Sequence, residues 1–165
     1  MNGKDEDIVR VFLKKYTPEI LGALFCVTLG LLSGYLSNSG PWEWYKSLNK
    51  PSFNPPPSVF GPVWTILYLM MGIALGLVWQ ERHRMMHLLL LFGFQFFLNL
   101  IWSFLFFTYH RIDLALIDII LLWGTLILFM KWSWTEKNLV LLFLPYTLWV
   151  SFALILNATL YRLNA

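Results

Sequence analysis

Five stretches of about twenty residues, roughly 18–37, 59–79, 87–108, 112–131 and 138–161, run almost free of charge along this chain. At about 1.5 Å of rise per residue, about 20 apolar residues span the hydrocarbon layer of a bilayer. Backbone N–H and C=O groups cannot stay unpaired in lipid, so runs of this length must be helices. The strands of a membrane β-barrel, about ten alternating residues each, fit none of them. The predicted fold is an all-α membrane protein, a five-transmembrane-helix bundle, with residues 1–165 as one domain. The composition, 58% apolar and 13% charged, agrees.

The net charge of +3 is spread over termini and loops without a basic stripe, so nucleic acid is not an expected partner. The first apolar run is full length and follows a charged leader, which reads as a retained helix rather than a cleaved signal. The single Cys26 excludes an intrachain disulfide. Lys4, Arg10, Lys14, Lys15, Arg82, Arg84, Lys131 and Lys137 fall on one side of the predicted topology, and Lys46, Lys50, Arg111 and Arg162 on the other. The positive-inside rule then favours an N-terminus inside and puts the first loop outside. A bacterial cytoplasmic membrane is the expected location, with the mitochondrial outer membrane as the alternative.

Thr17-Pro18-Glu19 predicts the start of the first helix: a hydroxyl for the N-cap, Pro in the first turn, an acid near the positive end. Gly22, Cys26, Gly30 and Gly34 recur every fourth residue, and the second helix carries Gly72-x-x-x-Gly76. Both stripes permit close helix contact, within the bundle or across a dimer face. The first loop, 38–58, holds Trp42, Trp44, Tyr45, Lys50-Pro51 and Pro55-Pro56-Pro57. Its prolines make it stiff, suited to a lid, while its aromatics also fit an interfacial belt.

Polar side chains deep in a membrane helix mark its protein-facing side. Gln95, Asn99 and Trp102 share a face of helix three, as do Tyr146, Trp149, Ala153 and Asn157 on helix five, and Trp64, Tyr68, Met71 and Leu75 on helix two. The three stripes suit one cavity of aromatic and amide character, fit for a large, flat, mostly apolar ligand. The alternative is plain helix-to-helix hydrogen bonding. Asp118, about 9 Å into helix four, should face the bundle or a wet recess, in a structural role or a proton relay. Pro145 interrupts helix five and predicts a kink with the Leu141 carbonyl freed. His83 and His110 fall in loops and His87 at a helix start, which argues against fixed haem ligation, so neither a metal nor a resident cofactor is expected. No phosphate loop, nucleophile–base arrangement or carboxylate pair is readable.

The stretch Trp42-Glu43-Trp44-Tyr45-Lys46-Ser47-Leu48-Asn49-Lys50-Pro51-Ser52-Phe53 with Pro55-Pro56, then Gly61-Pro62-Val63-Trp64-Thr65-Ile66-Leu67-Tyr68 and Met71-Gly72, resembles the tryptophan-rich sensory protein (TspO) or translocator protein family. Asn99-Leu100-Ile101-Trp102-Ser103, Asp118, Pro145-Tyr146-Thr147-Leu148-Trp149 and Leu156-Asn157 continue the likeness through all five helices. The resemblance implies a bundle, commonly a homodimer, that binds porphyrins such as protoporphyrin IX and, in some members, haem, cholesterol and synthetic hydrophobic ligands. Its pocket, carried over by position, comprises Tyr45, Trp64, Tyr68, Gln95, Asn99, Trp102, Trp149 and Ala153. The implied function is a membrane receptor or sensor for porphyrins. The alternatives are a tetrapyrrole or sterol transporter and a light-dependent porphyrin-degrading enzyme in which Trp64 and Trp149 are the reacting indoles. The family's sterol pattern fails near the end of helix five, where Arg162 follows Tyr161 without a spacer, although Leu105, Tyr109 and Arg111 satisfy it elsewhere.

Overall fold

In the computed structural model residues 3–37 and 42–165 are described, with side chains at 15–37 and 43–165. Among them every regular element is a helix: α1 (Gly3–Ser37), the short α2 (Trp42–Ser47), α3 (Pro57–Gln80), α4 (Met86–Ser103), α5 (Ile112–Trp132) and α6 (Lys137–Asn164). Five segments are long and apolar enough to cross a membrane, within α1 and α3, in α4 with the turn after it, and in α5 and α6. The protein is an integral membrane protein. The basic residues Lys4, Arg10 and Lys14 and the Trp42 side chain lie outside the described side chains, and residues 38–41 of the first loop lie outside the described backbone.

The predicted start at Thr17-Pro18-Glu19 is corrected: α1 begins at Gly3 and carries Pro18 inside it. Proline withholds its own N–H and crowds the carbonyl four residues back, but the residues between Gly3 and Pro18 contain no second breaker, and the helix continues through. The first loop is not all coil either, because Trp42–Ser47 folds into α2, with Lys46 reaching back to Glu43 at 3.1 Å. Pro57 opens α3 at the position where its missing N–H costs nothing. The fourth predicted segment starts at Ile112, with Arg111 just outside the helix paired to Asp113 through two bonds of 2.8 and 2.6 Å. The sixth helix runs unbroken past Pro145.

The long helices form a closed ring in the spatial order α1, α3, α6, α5, α4 and back to α1. The small-residue stripes are the α1–α3 seam. A Cβ on Gly22 would meet the Gly72 carbonyl, one on Gly72 the backbone of Gly22 and Ala23, and one on Gly76 the backbone of Glu19. Gly22, Gly72 and Gly76 are thereby used for packing inside the bundle, as one of the two sequence alternatives expects. Rings fill the half of the bundle nearest the 81–85 turn: Phe129 stacks on Phe143 at 4.0 Å, and Phe92 packs on both Phe96 and Phe143. That end is tied by Arg84, which donates to Glu136 at 2.8 Å; the carboxylate raises the guanidinium's already high pKa.

Beyond Ser103 the helix widens into a π-turn, Phe104–Thr108, in which the Tyr109 N–H donates to the Phe104 carbonyl at 2.9 Å. His110 follows with φ 56°, the left-handed region that a side chain enters at a cost of about 1–2 kcal/mol. Its ring stacks on Trp44 of α2 at 4.2 Å, a contact that offsets the strain and pins the first loop to the end of α4.

Candidate functional site

Opposite the packed half, the ring of helices encloses a cavity of about 480 Å³. This lies within the range of about 300–1,000 Å³ usual for small-molecule sites. Trp64 and Tyr68 come from α3 and lie nearly parallel at 5.4 Å. Asn99 and Trp102 come from α4, Trp149, Ala153 and Asn157 from α6, and Tyr45 from α2 closes the end. The spacing of four and three residues on each helix places these groups on its inner face.

A hydrogen-bond chain fixes the polar side of this wall. Tyr68 Oη donates to Asn99 Oδ1 at 2.8 Å, Asn99 Nδ2 donates to Tyr146 Oη at 3.0 Å, and Tyr146 Oη donates to Gln95 Oε1 at 2.9 Å. Three helices are joined through four side chains, and the Tyr68 ring is held in one orientation. A second relay runs from Trp102 Nε1 to Asn157 Oδ1 at 3.0 Å and from Asn157 Nδ2 to the Ile112 carbonyl at 3.2 Å. Both sequence alternatives for the amides are therefore realised together: they bond helix to helix, and Asn99 and Asn157 also face the cavity.

Gln95, named with this wall from the sequence, is fully buried behind it and reaches the cavity only through Tyr146 and Asn99. Met71, on the stripe of α3, lies in the packed core. Asp118 turns inward as expected and is 6% exposed, and its Oδ2 accepts no hydrogen bond among the described residues. The Trp149 indole N–H also lacks a partner there, although Trp149 lines the cavity and Phe60 meets it edge-on at 6.0 Å.

Sequence reasoning missed the share of α1 and α5. Gly30, Gly34 and Ser37 line the cavity from α1, and Ile119 and Leu122 from α5. Aliphatic residues on an apolar helix give no signal of which face is wet. The glycine stripe was legible, but only as packing. Phe106 and Phe107 also line the site, brought there by the π-turn, which stacks Phe106 on Trp102 at 5.1 Å.

The profile of the TspO/MBR family matches residues 22–162. The chain belongs to this family. It is 41% identical over 155 residues to the tryptophan-rich protein TspO of Chlorobaculum tepidum, covering 88% of this chain and 98% of that one. It is 34% identical to the TspO of Archaeoglobus fulgidus over 88% and 96% of the two chains. The human translocator protein is 35% identical over 74% of this chain and 75% of its own. Every wall residue of the cavity falls inside the TspO/MBR match, so the chamber belongs to the family region and not to the preceding segment.

Proposed function

We propose that this protein is a membrane receptor for porphyrins and similar flat, hydrophobic molecules, bound among Tyr45, Trp64, Tyr68, Asn99, Trp102, Trp149 and Ala153, with Gln95 supporting the wall from behind. The single observation that carries this reading is the 480 Å³ chamber faced by the aromatic rings of Tyr45, Trp64, Tyr68, Trp102 and Trp149. Tetrapyrrole faces stack on rings, and their polar edges supply acceptors. Membership of a family whose relatives are named tryptophan-rich sensory protein and translocator protein agrees with a receptor in the membrane. The name of the mammalian relatives also speaks for carriage of a ligand, but five helices offer no pair of inverted halves for alternating access. Titration of the purified protein with protoporphyrin IX is expected to quench tryptophan fluorescence at low-micromolar ligand; a flat titration overturns the reading.

A second reading is favoured by one observation, that Trp64 and Trp149 both line the same chamber. A photoexcited porphyrin transfers energy to dissolved dioxygen, and the singlet dioxygen formed adds across a carbon–carbon double bond of the bound macrocycle or of a contacting indole, both oxygen atoms staying in the product, so a pigment held in this chamber would be degraded in light. The basic residues on the N-terminal, 82–84 and 131–137 segments support an inside N-terminus in a bacterial cytoplasmic membrane, with the α2 end of the cavity outside.

A further inference from the structure

The two ends of the α1–α3 seam are built differently. At Gly22, Gly72 and Gly76 the backbones touch, and at Gly30 the ring of Tyr68 fills the space a side chain would take. One turn further, at Gly34, a Cβ would meet nothing within 4 Å, and the same holds across the seam at Gly61. Both residues line the cavity. So do Leu31 and Tyr35, which are 48% and 77% exposed on the outer surface of the bundle. The cavity wall and the lipid-facing surface are thus continuous at this place. It lies about 4.5 Å from the end of α1 and about 6 Å from the start of α3, at the boundary of hydrocarbon and headgroups.

The end facing water is fastened by contrast. The Asn164 carboxamide donates to the Asn49 carbonyl at 2.9 Å and accepts from the Asn49 N–H at 2.8 Å, tying the loop after α2 to the end of α6. Beneath it Tyr45 packs edge-on against Phe106 and Phe107 at 6.2 and 5.9 Å. Opening this end breaks these two hydrogen bonds and a third from Asn49 Nδ2 to the Leu163 carbonyl at 3.5 Å, and separates three rings, whereas at Gly34 and Gly61 an added Cβ would meet nothing within 4 Å among the described residues.

We propose that the cavity takes its ligand sideways from the bilayer, through a portal between α1 and α3 kept clear by Gly34 and Gly61, and so selects membrane-dissolved amphiphiles over water-borne ones. This rests on the ligand-binding reading above. The glycines act by omission: with no side chain at either position, a planar molecule oriented along the helices slides in between α1 and α3, past Leu31 and Tyr35, with its polar edge left at headgroup level. The first loop then serves as a fixed roof, and the moving part of the cycle is the ligand.

The test is stopped-flow fluorescence with protoporphyrin IX on protein in lipid nanodiscs. The double variant Gly34→Leu/Gly61→Leu, whose Cβ atoms would meet nothing within 4 Å, is expected to slow association and dissociation at least tenfold each. Asn164→Ala, which removes two of the hydrogen bonds between the roof and α6, is expected to leave both rates within twofold of wild type. The opposite pattern, glycine variants at wild-type rates or a roof variant that accelerates exchange, overturns the portal. A wild type that binds no porphyrin defeats the receptor reading, and the portal is then decided by a nitroxide on Gly61→Cys, the buried Cys26 staying unlabelled. Relaxation by dissolved oxygen exceeding that by a water-soluble nickel chelate supports a lipid-side opening; the reverse overturns it.

Discussion

Replacing Gly72 by alanine adds one methyl group where α1 and α3 touch. The new Cβ would press on the Gly22 carbonyl and on the backbone of Ala23. Ordinary carbon contacts lie at about 3.5–4.0 Å, so the two helices must retreat by on the order of 1 Å. Neither neighbour is a flexible side chain that can swing away, and the whole seam from Gly22 to Gly76 has to move with them. Overpacking of this kind costs about 1–3 kcal/mol, and backbone neighbours place this case near the upper end. Alanine returns about 1 kcal/mol of helix propensity, leaving a net loss of about 2 kcal/mol. Gly34→Ala is the internal control: its Cβ meets nothing within 4 Å, so only the propensity gain remains. Unfolding both variants by denaturing detergent in mixed micelles, followed by circular dichroism, should separate them by about 3 kcal/mol. A Gly72→Ala protein as stable as wild type, or two variants that shift together, refutes the account of the seam.

Asn99→Leu removes the acceptor of Tyr68 and a donor to Tyr146. At about 0.6 kcal/mol per membrane hydrogen bond, and up to 1.7, it should cost about 1–3 kcal/mol of stability. Tyr68→Phe in the same background should then cost less than it does alone, as a double-mutant cycle would measure; strictly additive losses would refute the coupling. Trp64→Phe and Trp149→Phe keep most of the aromatic area, so porphyrin affinity should weaken by no more than about 1–2 kcal/mol each. Under illumination the double variant should lose any degradation product that wild type forms while still binding. Product formed equally by both proteins removes these indoles from the chemistry.

The number and placement of the long helices were legible because the bilayer allows so few solutions. Any uncharged run of the right length must be a helix, and the spans at 59–79, 112–131 and 138–161 differ from α3, α5 and α6 by no more than three residues at an end. Pro18 misled because the signals of a helix start, hydroxyl, proline and acid, are local, whereas the continuation through it depends on the helix-forming residues on its other side. Polar residues betrayed the inner faces for the same reason that they are costly in lipid, so Asn99, Trp102 and Asn157 could be placed by spacing alone. Gln95 shows the limit of that argument. Spacing gives the face of a helix and not the depth behind its first layer, and a buried amide satisfied through Tyr146 reads like one that meets a ligand. Gly34 shows the same limit from the other side. A glycine in a four-residue stripe predicts contact, and Gly22, Gly30, Gly72 and Gly76 make it or make room for a ring. Gly34 makes a gap, because whether helices touch or diverge at the end of a seam is decided by the partner helix and the loop beyond it. The widening after Ser103 belongs to this class too. A π-turn has no residue signature in Phe104–Thr108, yet Phe106 and Phe107, which form the roof's underside, both lie within it. What the sequence left open is thus concentrated at the α2 end of the bundle, where the cavity lies and where helices stop packing against each other along their full length.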